Sequence, residues 1–265
     1  MLADMGVRRF GRWNTLGLAT LIRREVMRFV AVWTQTLLAP LVTAGLFLAV
    51  FALAFGSDRG PVMGVPFLHF LAPGILMMTV IQNAFANTSS SLMVSKVQGN
   101  IVDTLMPPLS PLELTIGYVA GGVARGVVVA AAIAVALWLV LGIGLTHPLW
   151  ALVFAVTGSA FLGGLGLLAA IFAEKFDHMA AITNFVITPL SFLSGTFYSI
   201  ERLPPVFEAL SRINPVFYLI DGMRYAVIGQ SDSSPWTGAL VSGAATALLL
   251  AGIWWLFRRG YRLKD

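Results

Sequence analysis

The chain has 265 residues, of which 58% are hydrophobic and 11% are charged, with no cysteine and a net charge of +5. A soluble domain carries roughly a quarter charged residues because its surface must be solvated, so this composition excludes a water-soluble globular protein. Disulfides, thiolate catalysis and cysteine-ligated metal sites are excluded as well. The basic residues lie mostly near the chain ends beside apolar runs, which is typical of membrane topology signals and not of a nucleic-acid-binding surface.

Six charge-poor stretches have the length of about 20 apolar residues that a membrane-spanning helix needs. The predicted spans are residues 29–57, 67–91, 114–141, 149–172, 179–198 and 236–257. The sequence therefore predicts an all-α, polytopic membrane protein with six transmembrane helices in a single domain, residues 1–265.

The distribution of Lys and Arg on alternate sides of these spans predicts their orientation. Four lie on one side: Arg59, Arg202, Arg212 and Arg224. Twelve lie on the other side: Arg8, Arg9, Arg12, Arg23, Arg24, Arg28, Lys96, Lys175, Arg258, Arg259, Arg262 and Lys264. The more basic side is predicted to be cytoplasmic, and six spans place both termini there.

Two further segments are predicted to lie at the membrane surface. Residues 1–28 form a cytoplasmic tail with an amphipathic helix at Thr15–Arg28 in the membrane interface; the alternative is an extended, solvated start of the first span. The extracytoplasmic segment 201–234 is too apolar for a solvated loop. Pro204-Pro205 and Asn214-Pro215 divide it into short helices, which we predict to sit in the outer leaflet or re-enter it.

The sequence contains little that could support catalysis. The predicted topology separates His69 and His147, outside, from His178, inside, so the three histidines cannot share a metal site. The G-x-x-x-x-G-K-[ST] phosphate loop is absent, and the spans contain no paired carboxylates. We therefore expect a chain that is not an enzyme and that carries no cofactor or metal of its own.

Polar residues within the predicted spans are candidates for a substrate path. The second span carries Gln82 and Asn83, and the fifth carries Asn184 and Thr188. Amides and hydroxyls in lipid need either partner helices or a wet cavity, and the two explanations are equally open.

Arg125 is the clear charge within a span, where an ionisable side chain is costly. One interpretation is a contact to an anionic substrate or lipid headgroup. The other, which we favour at this point, is that Arg125 reaches the cytoplasmic interface or pairs with Glu113 or Glu174.

The third span also carries Gly117-x-x-x-Gly121 and Gly122-x-x-x-Gly126. Small residues four apart let helix backbones approach closely in lipid. We interpret these glycines, and those of the fourth span, as a packing signal without chemistry.

The link at residues 96–110 predicts a short amphipathic helix on the cytoplasmic side. Asn100 suits a helix start, and Pro107-Pro108 stops the helix. The residues predicted to be exposed are Ile101, Leu105 and Met106. Exposed apolar side chains on a short helix favour a partner pocket.

Six stretches, in order over nearly the whole chain, carry a family resemblance. They are WTQTLLAPLVT (33–43), LAPGILMM (71–78), NAFANTSSS (83–91), GYVAGGVARG (117–126), FDHMAAITNFVITPLSFLSGTFYSIERLPP (176–205) and INPVFYLIDGMRYAVIG (213–229). Together they resemble the ABC-2 family of export permeases, and in particular its small six-span bacterial branch, the YadH-like permeases.

The resemblance implies a type V exporter-like fold in the bacterial cytoplasmic (inner) membrane. Two copies would form a homodimer, and each would dock a separate ABC ATPase subunit that carries ATP and Mg. The residues implied in ATPase coupling are Gln98, Gly99, Asn100, Ile101, Asp103, Leu105 and Met106. The residues implied along the substrate path are Met78, Gln82, Asn83, Phe85, Arg125, Asn184, Thr188, Phe192 and Tyr198.

The expected activity is ATP-driven alternating access that moves an amphipathic, lipid-like or drug-like molecule outward; a glycolipid or polysaccharide is also open. The main alternative is an ion-coupled carrier or channel with no ATPase partner, in which Arg125 and the polar residues of 82–87 form the conduction path. Flux driven by an ion gradient without ATP would favour it. A third possibility is a membrane assembly protein without transport.

Overall fold

The computed structural model describes residues 13–55, 60–200 and 203–260, so the N-terminal tail and several of the basic residues used to predict orientation lie outside it. The described residues form eleven α-helices and two π-helical turns, Thr34–Leu38 and Thr183–Ile187. The helices are α1 (Thr15–Val30), α2 (Ala39–Phe55), α3 (Phe67–Val97), α4 (Ile101–Leu105), α5 (Pro111–Leu141), α6 (Pro148–Phe172), α7 (Phe176–Ile182), α8 (Thr188–Leu193), α9 (Pro205–Ile213), α10 (Pro215–Ile228) and α11 (Pro235–Arg259).

Local sequence signals account for many of the helix ends. The helices α5, α6, α10 and α11 begin at a proline, where the missing N–H has no helical partner to lose. The start of α5 is also capped by Ser110 and Glu113, whose side chains and backbone N–H groups bond reciprocally. The helices α5, α10 and α11 end at Gly142, Gly229 and Gly260, whose φ angles are 67°, 73° and 63°, a conformation that glycine adopts without strain.

Five helical stretches are long and apolar enough to cross a membrane. They are Thr34–Phe55, Phe67–Val97, Pro111–Leu141, Pro148–Phe172 and Pro235–Arg259. Each overlaps a predicted span. In place of the predicted span at 179–198 the structure has a helix at 176–193 that is not one of the five. Six crossings therefore remain a prediction.

The two π-helical turns have a common cause in the sequence. Each ends two residues before a proline, Pro40 or Pro189. A proline cannot donate an N–H to the carbonyl four residues earlier, and a π turn accommodates the resulting change of register. The second turn divides residues 176–193 into α7, the π turn and α8, and we refer to this unit as the broken helix.

The core is built around α3. This helix packs against α5, α6 and α10, and most residues of its apolar stretch are buried. Residues 34–55, by contrast, pack mainly on α3 and are mostly exposed. The first predicted span is therefore a peripheral helix and the second is the central one.

The glycines of α5 allow close contact on two of its faces. A methyl group at Gly121 would lie 2.4 Å from Cβ of Glu25 on α1, and one at Gly126 would lie 2.0 Å from Oγ of Ser159 on α6. Such distances leave no room for a side chain. The packing role predicted for these glycines is therefore confirmed.

The segment that follows the broken helix folds as α9 and α10, which are separated at Asn214, as the proline pattern predicts. The helix α10 is buried against α3, α6 and α11. Thr146 Oγ1 donates to the carbonyl of Val227 (2.7 Å), and the backbone N–H of His147 donates to the carbonyl of Ala226 (2.8 Å). These bonds tie the α5–α6 loop to the end of α10. Whether α9 and α10 enter the outer leaflet remains a prediction.

Candidate functional site

A cavity of about 400 Å³ lies between the C-terminal half of α3 and the broken helix. Its α3 wall carries four polar residues, Gln82, Asn83, Ser89 and Ser90, beside Phe85, Ala86 and Met93. The opposite wall, from the broken helix, is mainly apolar: Phe176, Met179, Ala180 and Ile187, with Thr183 and Thr188. The cavity is therefore amphipathic across its width.

The structure brings together part of the predicted substrate path. Gln82, Asn83 and Phe85 of the second predicted span line this cavity together with Thr188 of the fifth. Arg125 reaches its wall through Asn83, because Arg125 Nη2 donates to Asn83 Oδ1 over 2.8 Å. Residues of the second and fifth predicted spans therefore line one cavity within a single chain.

Four other residues predicted for the path lie elsewhere. Met78 is buried in α3, and Asn184 is exposed on the broken helix, away from the cavity. The ring of Phe192 stacks on Phe197 with 5.4 Å between centroids, and the Tyr198 hydroxyl donates to the carbonyl of Leu193 over 2.5 Å. Phe192 and Tyr198 thus contact residues at and beyond the end of the broken helix, and none of the four residues lines the cavity.

Arg125 has no carboxylate partner among the residues described. Its Nε is buried and forms no hydrogen bond. Glu113 instead caps α5 and accepts a hydrogen bond from the backbone N–H of Asn14, while Glu174 is exposed. The interpretation that Arg125 pairs with Glu113 or Glu174 is therefore wrong.

A second arginine reaches the same wall from α1. Arg28 Nη1 donates to Ser90 Oγ (3.1 Å), and its Nη2 donates to the carbonyl and side-chain oxygens of Asn87 (2.6 and 3.0 Å). Glu25, which is fully buried, accepts from Ser91 Oγ (2.8 Å) and from Arg28 (3.4 Å). This cluster joins α1 to the part of α3 that lines the cavity.

Sequence reasoning missed this cluster, although two signals for it exist. Ser90 follows Asn83 by seven residues and so lies on the same face of a helix. Arg24, Glu25 and Arg28 place one acid between two bases within a single helical turn, a spacing that favours ion pairing along a helix.

The short helix predicted in the 96–110 link is α4. Ile101 is only 7% exposed, so the prediction that it is exposed is wrong. Leu105 is partly buried, while Met106 is 76% and Val102 43% exposed. Residues three apart share one side of a helix, and here Ile101 and Thr104 form the side that faces the protein.

The other residues predicted for coupling lie on the outside of this link. Gln98, Gly99, Asn100 and Asp103 are all exposed. Gly99 adopts a φ of 72°, which allows the chain to turn sharply between α3 and α4.

The helix α1 holds α4 in place through Arg24. Its Nη1 donates to Thr104 Oγ1 over 2.8 Å, and its Nη2 donates to the Tyr118 hydroxyl over 3.3 Å and to Glu25 Oε1 over 3.0 Å. Burial lowers the pKa of Arg24, but the interactions with Tyr118 and Glu25 outweigh it and raise that pKa above its ordinary value. A permanently charged guanidinium therefore links α1, α4 and α5.

A second polar cluster, which sequence reasoning also missed, is centred on Asp221 and Arg224 of α10. The Arg224 side chain is fully buried and donates to Asp221 Oδ1 (3.2 Å) and to the carbonyl of Gly195 (2.5 Å). Asp221 also accepts from the backbone N–H groups of Asp232 (2.9 Å) and Ser233 (2.8 Å). The cluster ties the turn after the broken helix to α10 and to the loop before α11.

Comparison with known proteins agrees with this architecture. The family model described as ABC-2 type transporter matches residues 17–228. The chain belongs to the ABC-2 type transporter family. With five helices able to cross a membrane, this ABC-2 permease is a multi-pass membrane protein. The matched range contains α3, α4, α5 and the broken helix, and therefore both the cavity and the short helix.

Alignments with named relatives cover most of this chain. It is 36% identical to "Inner membrane transport permease YadH" of Escherichia coli (strain K12) over 252 residues, which is 94% of this chain and 98% of that protein. It is 28% identical to "Nodulation protein J" of Rhizobium leguminosarum bv. viciae over 214 residues, 78% of this chain and 81% of that protein. A Nodulation protein J of Rhizobium meliloti (strain 1021) is 25% identical over 82% of both chains.

Proposed function

We propose that this chain is the membrane-spanning permease subunit of an ATP-binding-cassette exporter in a bacterial inner membrane. Two copies pair, and each docks a separate ATPase subunit that binds ATP and Mg. The ABC-2 match over residues 17–228 and the relative named as an inner membrane transport permease support this assignment.

The observation that carries the proposal is the setting of α4. One side of this helix is held by Arg24 of α1 through Thr104, and the other side presents Val102, Asp103 and Met106 to the outside. We refer to these three residues as the docking face. A single helical turn that is braced on one side and apolar on the other is suited to insertion into a cleft of a partner.

The same elements connect the docking face to the cavity. α4 follows α3 after Gly99, and α1 contacts both α4, through Arg24, and the α3 wall, through Arg28. A displacement of α4 by an ATPase subunit is therefore passed to the residues that line the cavity. This linkage is what ATP-driven alternating access requires.

The proposal includes six membrane crossings with both termini in the cytoplasm. The broken helix is the additional crossing: at about 1.5 Å per residue, its length is roughly 27 Å, close to the roughly 30 Å thickness of the hydrocarbon core. Two crossings precede α4, so α4 and the cavity end of α3 lie on the same side as the N-terminus. Six crossings in total bring the C-terminus to that side as well.

Two charge substitutions on the docking face test the proposal: one reverses a charge and the other introduces one. We expect Asp103→Arg and Met106→Asp to leave the permease folded but to lower stimulation of the ATPase by about tenfold or more, because both residues are exposed and would meet the partner. The measurement is ATP hydrolysis by the purified ATPase subunit with and without reconstituted permease, alongside co-purification of the two chains.

Glu208→Arg is the matched control, because Glu208 is also an acid in the first turn of a short helix, α9, on the predicted outer side. It should leave ATPase stimulation unchanged. Stimulation that stays normal in both docking-face variants would count against the exporter assignment, as would purification of the chain from its native host with no ATPase subunit bound.

A further inference from the structure

We propose that the cavity between α3 and the broken helix binds an anionic amphiphile, a molecule with a phosphate- or carboxylate-type head and an apolar tail. The inference rests on the proposed function, whose substrate class it narrows. It is argued from the charges behind one wall of the cavity and the apolar side chains of the other.

The first step is the charge of Arg125, which has no carboxylate partner in the part of the chain that the structure describes. Its Nη2 donates to the neutral amide oxygen of Asn83, and its buried Nε has no acceptor there. Asn83 itself lines the cavity. An anionic head that entered at Asn83 would offer Arg125 a charged acceptor in place of a neutral one, and charge-assisted hydrogen bonds are the stronger kind.

The second step is the excess of positive charge around the α3 wall. Arg28 bonds to Ser90 and Arg125 bonds to Asn83, and both of these partners line the cavity. Arg24 and Arg28 share a single acid, Glu25. Because Arg24 also engages Glu25, this one carboxylate among the described residues does not balance the two guanidinium groups, Arg28 and Arg125, that bond to the α3 wall. A neutral ligand would leave the excess positive charge uncompensated, and a cationic one would be repelled.

The third step is the composition of the remaining wall. Phe176, Met179 and Ile187 of the broken helix line the cavity opposite Asn83 and Ser90, and Met93 of α3 adds a further apolar side chain. Methionine side chains adapt to ligands of irregular shape. The cavity volume of about 400 Å³ falls within the range of small-molecule sites, so it can take a head and the adjoining part of a chain.

The test uses the absence of cysteine in the natural chain. Ala180→Cys, at the exposed rim of the cavity, gives a single labelling position for an environment-sensitive fluorophore. The protein, in nanodiscs of phosphatidylcholine, is titrated below the critical micelle concentration with dodecyl phosphate, with dodecylphosphocholine and with inorganic phosphate. We expect dodecyl phosphate to bind about tenfold or more tightly than either of the other two, the effect of one charge-assisted hydrogen bond.

Two variants test whether Arg125 causes the preference for dodecyl phosphate. Arg125→Gln removes the charge, and Asn83→Asp places a carboxylate against it with almost no change of shape, so both should abolish the preference for dodecyl phosphate over dodecylphosphocholine. Asn83→Asp adds an ion pair and should keep the protein folded even if Arg125→Gln does not. Arg212→Gln, the same charge change at a half-exposed side chain paired with Glu208, should leave the preference intact.

Equal binding of dodecyl phosphate and dodecylphosphocholine to the unaltered cavity would overturn the proposal, as would a preference that survives in Asn83→Asp. Inorganic phosphate that binds as tightly as dodecyl phosphate would overturn it too, because the apolar wall would then contribute nothing. No ATPase subunit takes part in this experiment. If the anion preference is absent but ATPase stimulation is normal, the exporter assignment is retained. If stimulation is absent but the anion preference is present, the ligand class proposed for the cavity is retained.

Discussion

Glu25 shows how one buried side chain can join two helices. Its carboxylate oxygens accept from Arg24 and Arg28 of α1 itself and from Ser91 of α3, so that a charge-assisted hydrogen bond attaches α1 to α3. A buried acid of this kind is costly unless its partners are present, because it has lost its hydration.

We expect Glu25→Ala to lower the free energy of unfolding by about 2–4 kcal/mol, since it leaves two arginines and a buried hydroxyl without their acceptor. Glu25→Gln should lower it less, because an amide oxygen can still accept from Ser91. The measurement is thermal or denaturant unfolding of the purified protein in detergent.

The control for this prediction is Glu208→Ala. Glu208 also pairs with an arginine, Arg212, over 2.8 Å, but both side chains are partly exposed, and such pairs contribute about 1 kcal/mol or less. An equal loss of stability in the two variants would mean that the burial of Glu25 does not matter.

At the scale of elements, the close approach of α1 to α5 determines where Glu25 lies. Gly121 leaves room for the side chain of Glu25, and Gly117 does the same for Leu21. The position of Glu25 therefore depends on the absence of side chains at Gly117 and Gly121 of α5. The contact of Arg28 with the cavity wall depends on it too.

We expect Gly121→Ala to destabilise the protein by about 1–3 kcal/mol, the usual cost of overpacking, although alanine is the better helix former. Gly252→Ala in α11 is the matched variant, because nothing lies within 4 Å of the position of a methyl group there, and it should be neutral or slightly stabilising. Unfolding in the same detergent compares the two. If Gly121→Ala is as stable as Gly252→Ala, then α1 does not pack on α5 as described.

For the whole molecule, the number of membrane crossings turns on the broken helix. If residues 176–193 cross the bilayer, Lys175 and Arg212 lie on opposite sides of the membrane. If they do not cross, the two residues lie on the same side. The first arrangement is the one that the proposed exporter needs.

Single cysteines decide this point, since the natural chain gives no background labelling. We expect Arg212→Cys to react with a membrane-impermeant maleimide in intact cells, and Lys175→Cys to react only after the membrane is opened. Labelling of both positions from the same side would contradict six crossings. Expression and ATPase stimulation of the two variants check that each still folds.

The membrane class, the helix positions and the caps could be read from the sequence alone, because each depends on composition or on residues close in the chain. A deficit of charge, runs of apolar residues, prolines at helix starts and glycines at helix ends act locally. The prolines at 204–205 and 215 predicted two helices that the structure contains. The family resemblance, and not a local pattern, assigned Gln82, Asn83 and Thr188 to the substrate path, and in the structure all three line one cavity.

The direction in which each side chain points was decided only by the tertiary structure. Ile101 faces inward because α1 and α3 lie on one side of α4, and Asn184 is exposed although Thr183 and Thr188 of the same helix line the cavity. Arg125, Arg28 and Glu25 each have a partner on α3, which is far from them in the chain: Asn83, Ser90 and Ser91. No local pattern contains that information, since it depends on which helices pack together and how closely their glycines let them approach.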